Sequence, residues 1–107
     1  MDGLGNVRIR GKSGREYKFR AYPLETKFDN IGAVYFITSR HHDPDGRISH
    51  SRIDCGWTSN LSIGINVKPG FKENDANCIC ILPQDDKDSR IEIETDIRHQ
   101  YTLLCGI

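Results

Sequence analysis

Apolar and polar positions alternate twice near the start of the chain. Val7 and Ile9 alternate with Arg8 and Arg10. After Gly11-Lys12-Ser13-Gly14, Tyr17, Phe19 and Ala21 alternate with Lys18, Arg20 and Tyr22. A period of two sends successive side chains to opposite faces, so this segment predicts a β-hairpin with one apolar and one basic face, ended by Pro23. Leu24 to Ile31 reads as a link. A more apolar strand is expected over Ala33 to Thr38, followed by a polar loop from Ser39 to Ser51 whose Asp43-Pro44-Asp45-Gly46 is a turn signal. Arg52 to Cys55 predicts a short strand. Thr58 or Ser59 would cap a poor helix carrying Leu61, Ile63 and Ile65, weakened by Gly64 at roughly 1 kcal/mol relative to Ala and stopped by Pro69-Gly70. Asn77 to Leu82 reads as a strand that Pro83 terminates.

The last element has the clearest period. Ile93, Ile97, Tyr101 and Leu104 fall within one arc of about 80° at helical spacing. Ser89-x-x-Glu92 reads as a capping box, and acids crowd the first turn as the helix dipole favours. The predicted helix spans 88–101. Glu94 lies at the border of its buried face, where a carboxylate needs a basic group or a metal as partner, or reaches solvent. Arg90 is the arginine considered for that pairing.

These elements place the chain in the α+β class as a single domain over 1–107. Of its 107 residues, 36% are hydrophobic and 28% charged, which favours a folded domain over disorder. No apolar run reaches the roughly 20 residues of a membrane helix. The first residues lack a signal peptide's basic start and apolar core, so a cytoplasmic location is expected.

Net charge is zero but unevenly placed. Arg8, Arg10, Lys12, Arg15, Lys18 and Arg20 face only Glu16 between positions 8 and 20, while Asp85, Asp86, Asp88, Glu92, Glu94 and Asp96 outweigh Lys87 and Arg90 between 85 and 96. The basic hairpin can meet phosphates; the alternative is two solvated faces of opposite sign. Cysteines stand at 55, 78, 80 and 105 without a Cys-x-x-Cys pair. Cys78 and Cys80 would share one face of a strand. This spacing favours buried thiols over a metal site completed by His41 or His42.

One tyrosine, one carboxylate near a buried face and nearby cations are the parts of metal-assisted phosphodiester chemistry. Their order adds to this. Gly32-Ala33-Val34-Tyr35-Phe36-Ile37, a loop, Ile53-Asp54-Cys55-Gly56-Trp57-Thr58-Ser59-Asn60-Leu61, a strand and then Glu94 in a helix resembles the GIY-YIG endonuclease domain over positions 32–105. The resemblance implies a small three-stranded antiparallel sheet flanked by helices, to which residues 1–23 add a hairpin. It implies that Tyr35 helps activate water, that Glu94 holds a divalent metal ion such as Mg or Mn, and that Gly56, Thr58 and Leu61 occupy the second motif and the turn after it. Asp54 stands where that family has its second tyrosine, Gly64 where it has its phosphate-steadying arginine, and Gly106 at its terminal asparagine. Loss of a transition-state cation costs several kcal/mol, and Arg47, Arg52 and Lys68 are the candidate replacements.

The expected function is therefore a catalytically impaired domain of this type that binds nucleic acid, through Arg8, Arg10, Lys18 and Arg20, or a protein partner. The alternatives are an active metal-dependent endonuclease using Tyr35 and Glu94, and a regulatory interaction protein with no nucleic-acid role.

Overall fold

The computed structural model describes residues 3–63, 65 and 69–101. Two hairpins and one later strand make a single antiparallel sheet. The first hairpin pairs β1 (Asn6–Arg10) with β2 (Glu16–Pro23), and the second pairs β3 (Ala33–His42) with β4 (Ile48–Thr58). Between them lies β5 (Cys78–Pro83), which bonds to β2 on one side and β3 on the other. The order is β1-β2-β5-β3-β4, curled into a half-barrel.

This corrects the three-stranded sheet with an appended hairpin. β5 has an unused edge after pairing with β3, and β2 fills it in register, Arg20 opposite Ile81 and Tyr22 opposite Ile79. The apolar run Cys78-Ile79-Cys80-Ile81 is buried throughout, as a central strand covered on both faces requires.

Period two sorts the side chains. Ile9, Phe19, Val34, Phe36, Cys55, Cys78 and Cys80 face one side, where Ile93 and Ile97 of α2 (Lys87–Gln100) close over them. Phe36 is the hinge of this packing, edge-on to Phe19 at 6.4 Å and to Tyr101 at 6.3 Å. Ala33, Ile37, Ile53, Ile79 and Ile81 face the other side under Leu61 and Phe71. Phe71 belongs to α1 (Pro69–Glu73), so Pro69 begins a helix rather than stopping one, as suits its fixed φ and missing N–H at a first helical position. Leu61–Ile63 is a single 3-10 turn, its start held by Asn60, whose side-chain oxygen accepts from Ser62 N at 2.9 Å. Gly64, Lys68, Leu104, Cys105 and Gly106 lie outside the described residues.

Two other boundaries move. The segment expected as a loop from Ser39 to Ser51 is mostly strand, narrowing to a turn in which Gly46 N bonds to Asp43 O at 2.8 Å and Gly46 takes a φ of 85°. A solvated two-stranded ribbon needs backbone pairing but no apolar period. The α2 cap is Asp86, not Ser89: the Asp86 carboxylate accepts from Ser89 N at 2.9 Å and from Ser89 Oγ at 2.7 Å. Hydrogen bonds to Asp96 then dock the helix on the first hairpin, with one exposed ion pair beside them. Asp96 accepts from Ser13 N, Ser13 Oγ and Tyr17 Oη at 2.7–2.8 Å, and Arg15 lies 3.8 Å from Glu92.

Candidate functional site

The β3–β4 register places Tyr35 opposite Gly56, Phe36 opposite Cys55 and Ile37 opposite Asp54. The Tyr35 phenol lies across the Gly56 backbone: a Cβ built there would fall 2.5 Å from the phenol oxygen. Any larger residue there would have to displace the phenol. From the helix side, Glu94 and Arg98 reach the same part of β4. Arg98 Nε donates to Glu94 Oε1 at 3.0 Å, one helical turn away, and Nη2 lies 3.5 Å from Asp54 Oδ1. Nη2 also donates a short hydrogen bond to Cys55 O. Arg98 thus links Asp54 with Glu94, while Tyr35 packs with the Ile37, Leu61 and Phe71 layer on the sheet face opposite α2.

The electrostatics of this cluster follow from one guanidinium set among several acidic groups. Burial, and then the neighbouring Asp54, Cys55 and Glu94, raise the Tyr35 pKa above its ordinary value. The phenol stays protonated at neutral pH and can donate a hydrogen bond, but it is a poor base for water. Arg98 is the cation that the sequence reading missed. Burial opposes its charge, but the hydrogen bond to Glu94 and the surrounding negative charge outweigh that, so it is held more firmly protonated than usual. Asp54 is 3% exposed and Glu94 is half-buried, and one guanidinium serves both carboxylates. Glu94 pairs with Arg98 rather than Arg90, whose Nη1 instead donates to Gln84 O and Asp85 O at 2.8 and 3.0 Å beneath Trp57. Nor do Arg47 and Arg52 enter the cluster. Arg47 lies beside Asp45 at 3.5 Å and Arg52 stacks on Tyr101 at 4.3 Å.

The four predicted phosphate-binding residues share one uncovered face of the first hairpin. Arg8 stands opposite Lys18, Asn6 opposite Arg20 and Arg10 opposite Glu16. Glu16 is the lone acid of this set, 3.6 Å from both Arg8 and Arg10. Arg20 leans over Tyr22, 6.0 Å from its ring centre.

A third group was not anticipated as a set. His50 on β4 reaches diagonally over Thr38 of β3 toward Cys78 and Cys80 of β5. The Thr38 hydroxyl is 2.8 Å from His50 Nδ1, and ligating atoms of His50, Cys78 and Cys80 lie within 4.8 Å of one another. Among the described residues this is the one group of three or more His, Cys, Asp or Glu side chains arranged to hold a metal ion. It uses neither His41, whose ring turns to Ser39 O and Asp43, nor His42, and it does not include Glu94. Hydrogen bonding from the Cys80 thiol, then from His50 and Thr38, pulls the Cys78 thiol down, and Cys80 as the donor is pushed up.

One cleft lies apart from all three groups, at the hairpin turn against α2. Asp96 lines it, and its carboxylate is already engaged by Ser13 and Tyr17. No known protein family, curated protein or solved structure matches this chain. No helix among the described residues is long and apolar enough to cross a membrane.

Proposed function

We propose that this chain binds the phosphate backbone of DNA or RNA through the outer face of β1 and β2, on a GIY-YIG-like arrangement in which phosphodiester cleavage is suppressed. One observation carries the binding: Arg8 and Lys18 sit directly opposite one another, flanked by Arg10 and Arg20, against a single Glu16. Like charges opposed across strands destabilise a sheet by a few tenths of a kcal/mol to about 1 kcal/mol, and a polyanion relieves that repulsion. The suppression rests on Arg98. Its guanidinium serves both Asp54 and Glu94, as a divalent Mg or Mn ion at Glu94 would, and the protonated Tyr35 is a donor where a base is needed.

The test is binding of fluorescent single- and double-stranded DNA and RNA across a salt series. With four cations and one acid, log K is expected to fall with log salt at a slope of about −3 on duplex. Arg8→Glu with Lys18→Glu should flatten that slope and weaken binding by more than tenfold. Absence of binding to every oligonucleotide at low salt would replace this reading with that of a protein-interaction domain. Incubation with Mg or Mn should give no cleavage; cleavage lost in both Tyr35→Phe and Glu94→Ala would overturn the suppression.

A further inference from the structure

We propose that His50, Cys78 and Cys80 form a binding site for a thiophilic d10 cation, with Zn2+ the ion that fits best. The inference is independent of the nucleic-acid reading, since these residues lie on the sheet face opposite the basic strip.

Three observations converge on it. Cys78, Cys80 and Thr38 are nearly or fully inaccessible, and His50 is half-buried at the margin of an otherwise apolar layer. Packing alone gives no reason to gather an imidazole, a hydroxyl and two thiols at one point, because each buried polar group needs a partner. The donors belong to β4 and β5, held in register through β3 between them: Thr38 pairs with Cys78 across β3–β5, and His50 pairs with Arg40 across β3–β4. The Asn77 side chain locks this end of the sheet by bonding both backbone groups of Arg40, at 2.7 and 3.0 Å. The site is therefore built on strands rather than on a loop.

The chemistry selects the ion. Two sulfurs and an imidazole nitrogen suit Zn2+ or Cu+ and disfavour Mg2+, Mn2+ and Ca2+, which prefer oxygen. Tetrahedral Zn2+, with bonds of about 2.3 Å to sulfur and about 2.0 Å to nitrogen, holds its donors roughly 3.5–4 Å apart. Donors now within 4.8 Å reach that spacing by side-chain movement of about 1 Å. Thr38 Oγ1 on His50 Nδ1 is the outer contact that fixes a ligating imidazole ring. Binding converts two thiols to thiolates and releases their protons to solvent, leaving the ion one coordination position not filled by this triad. A Cys78–Cys80 disulfide is the poorer use of the pair. Two positions along a strand separate the Cα atoms by about 6.6 Å, at the far limit of disulfide geometry.

The test uses the full chain kept reduced with a non-thiol reductant. Titration with Co2+, the spectroscopic stand-in for Zn2+, should give a thiolate-to-cobalt charge-transfer band that saturates at one equivalent and is displaced by Zn2+. Cys78→Ser and Cys80→Ser should each abolish the band, and His50→Ala should weaken binding by at least the roughly 10–100-fold that loss of an outer-shell contact costs. Cys55→Ala should bind as the wild type does. Should the serine variants fail to fold, His50→Ala, at a half-buried position, still decides the matter together with the wild-type spectrum. No charge-transfer band in the wild type, or equal affinity in His50→Ala, would overturn the proposal.

Discussion

Arg98 shows how much one side chain can decide. It joins a buried aspartate, a helix glutamate and a strand carbonyl. Arg98→Ala would leave Asp54 in place without that guanidinium, so a loss of about 2–4 kcal/mol is expected in chemical denaturation. Glu94→Gln, which keeps the shape and an acceptor, should cost less. The pair was legible in the sequence as Glu94 and Arg98 four residues apart, a spacing that brings helical side chains together. Asp96 is the other residue with a measurable signature. Side-chain hydrogen bonds from Ser13 and then Tyr17 hold its carboxyl below the usual range. Its contribution is complete above the unfolded carboxylate value of about 4 and is lost as pH falls through the lower folded value. Thermal melts should therefore steepen in their decline below about pH 4, and Asp96→Asn should flatten that limb. An equal acid limb in both proteins would remove Asp96 from the account.

At the scale of elements, legibility followed the apolar period. The first hairpin, the strand through Phe36, the strand through Ile79 and the final helix were all readable because one or both faces are buried. The outer half of the β3–β4 hairpin was not. Ser39, Arg40, His41 and His42 carry no apolar alternation, yet they pair with Ile48 to Ser51 through backbone alone. That miss concealed His50, which looks like a loop histidine in sequence and becomes a neighbour of Cys78 only once β4 is extended and β3 is set beside β5. Pro69 misled for a different reason: the same ring that ends a helix is well placed at its first turn. The register shift between Ile37 and Thr38 likewise leaves no trace in composition, although it puts Asp54 opposite Ile37 and lets Thr38 meet Arg52.

For the molecule as a whole, the partner of β2 was the unreadable fact. Sequence patterns identify strands but not which edge each will take, and β5 chose two. Its residues unite the two hairpins: Ile81 lies opposite Arg20 on one side and Tyr35 on the other, and is 4% exposed. Ile81→Ala should cost about 2–5 kcal/mol. Near- and far-ultraviolet circular dichroism should still melt together, because neither hairpin has a separate core to fall back on. Two resolved transitions would mean that the halves are energetically separate.

The sheet order also imposes a sequence of events during synthesis. Both hairpins leave the ribosome before the strand that bridges them, so each meets solvent with an unfilled edge. Direct joining of those edges would yield a four-stranded decoy that must be pried apart to admit the latecomer. Insertion of that strand is a non-local closure, so folding is expected to be slow for a chain of this size.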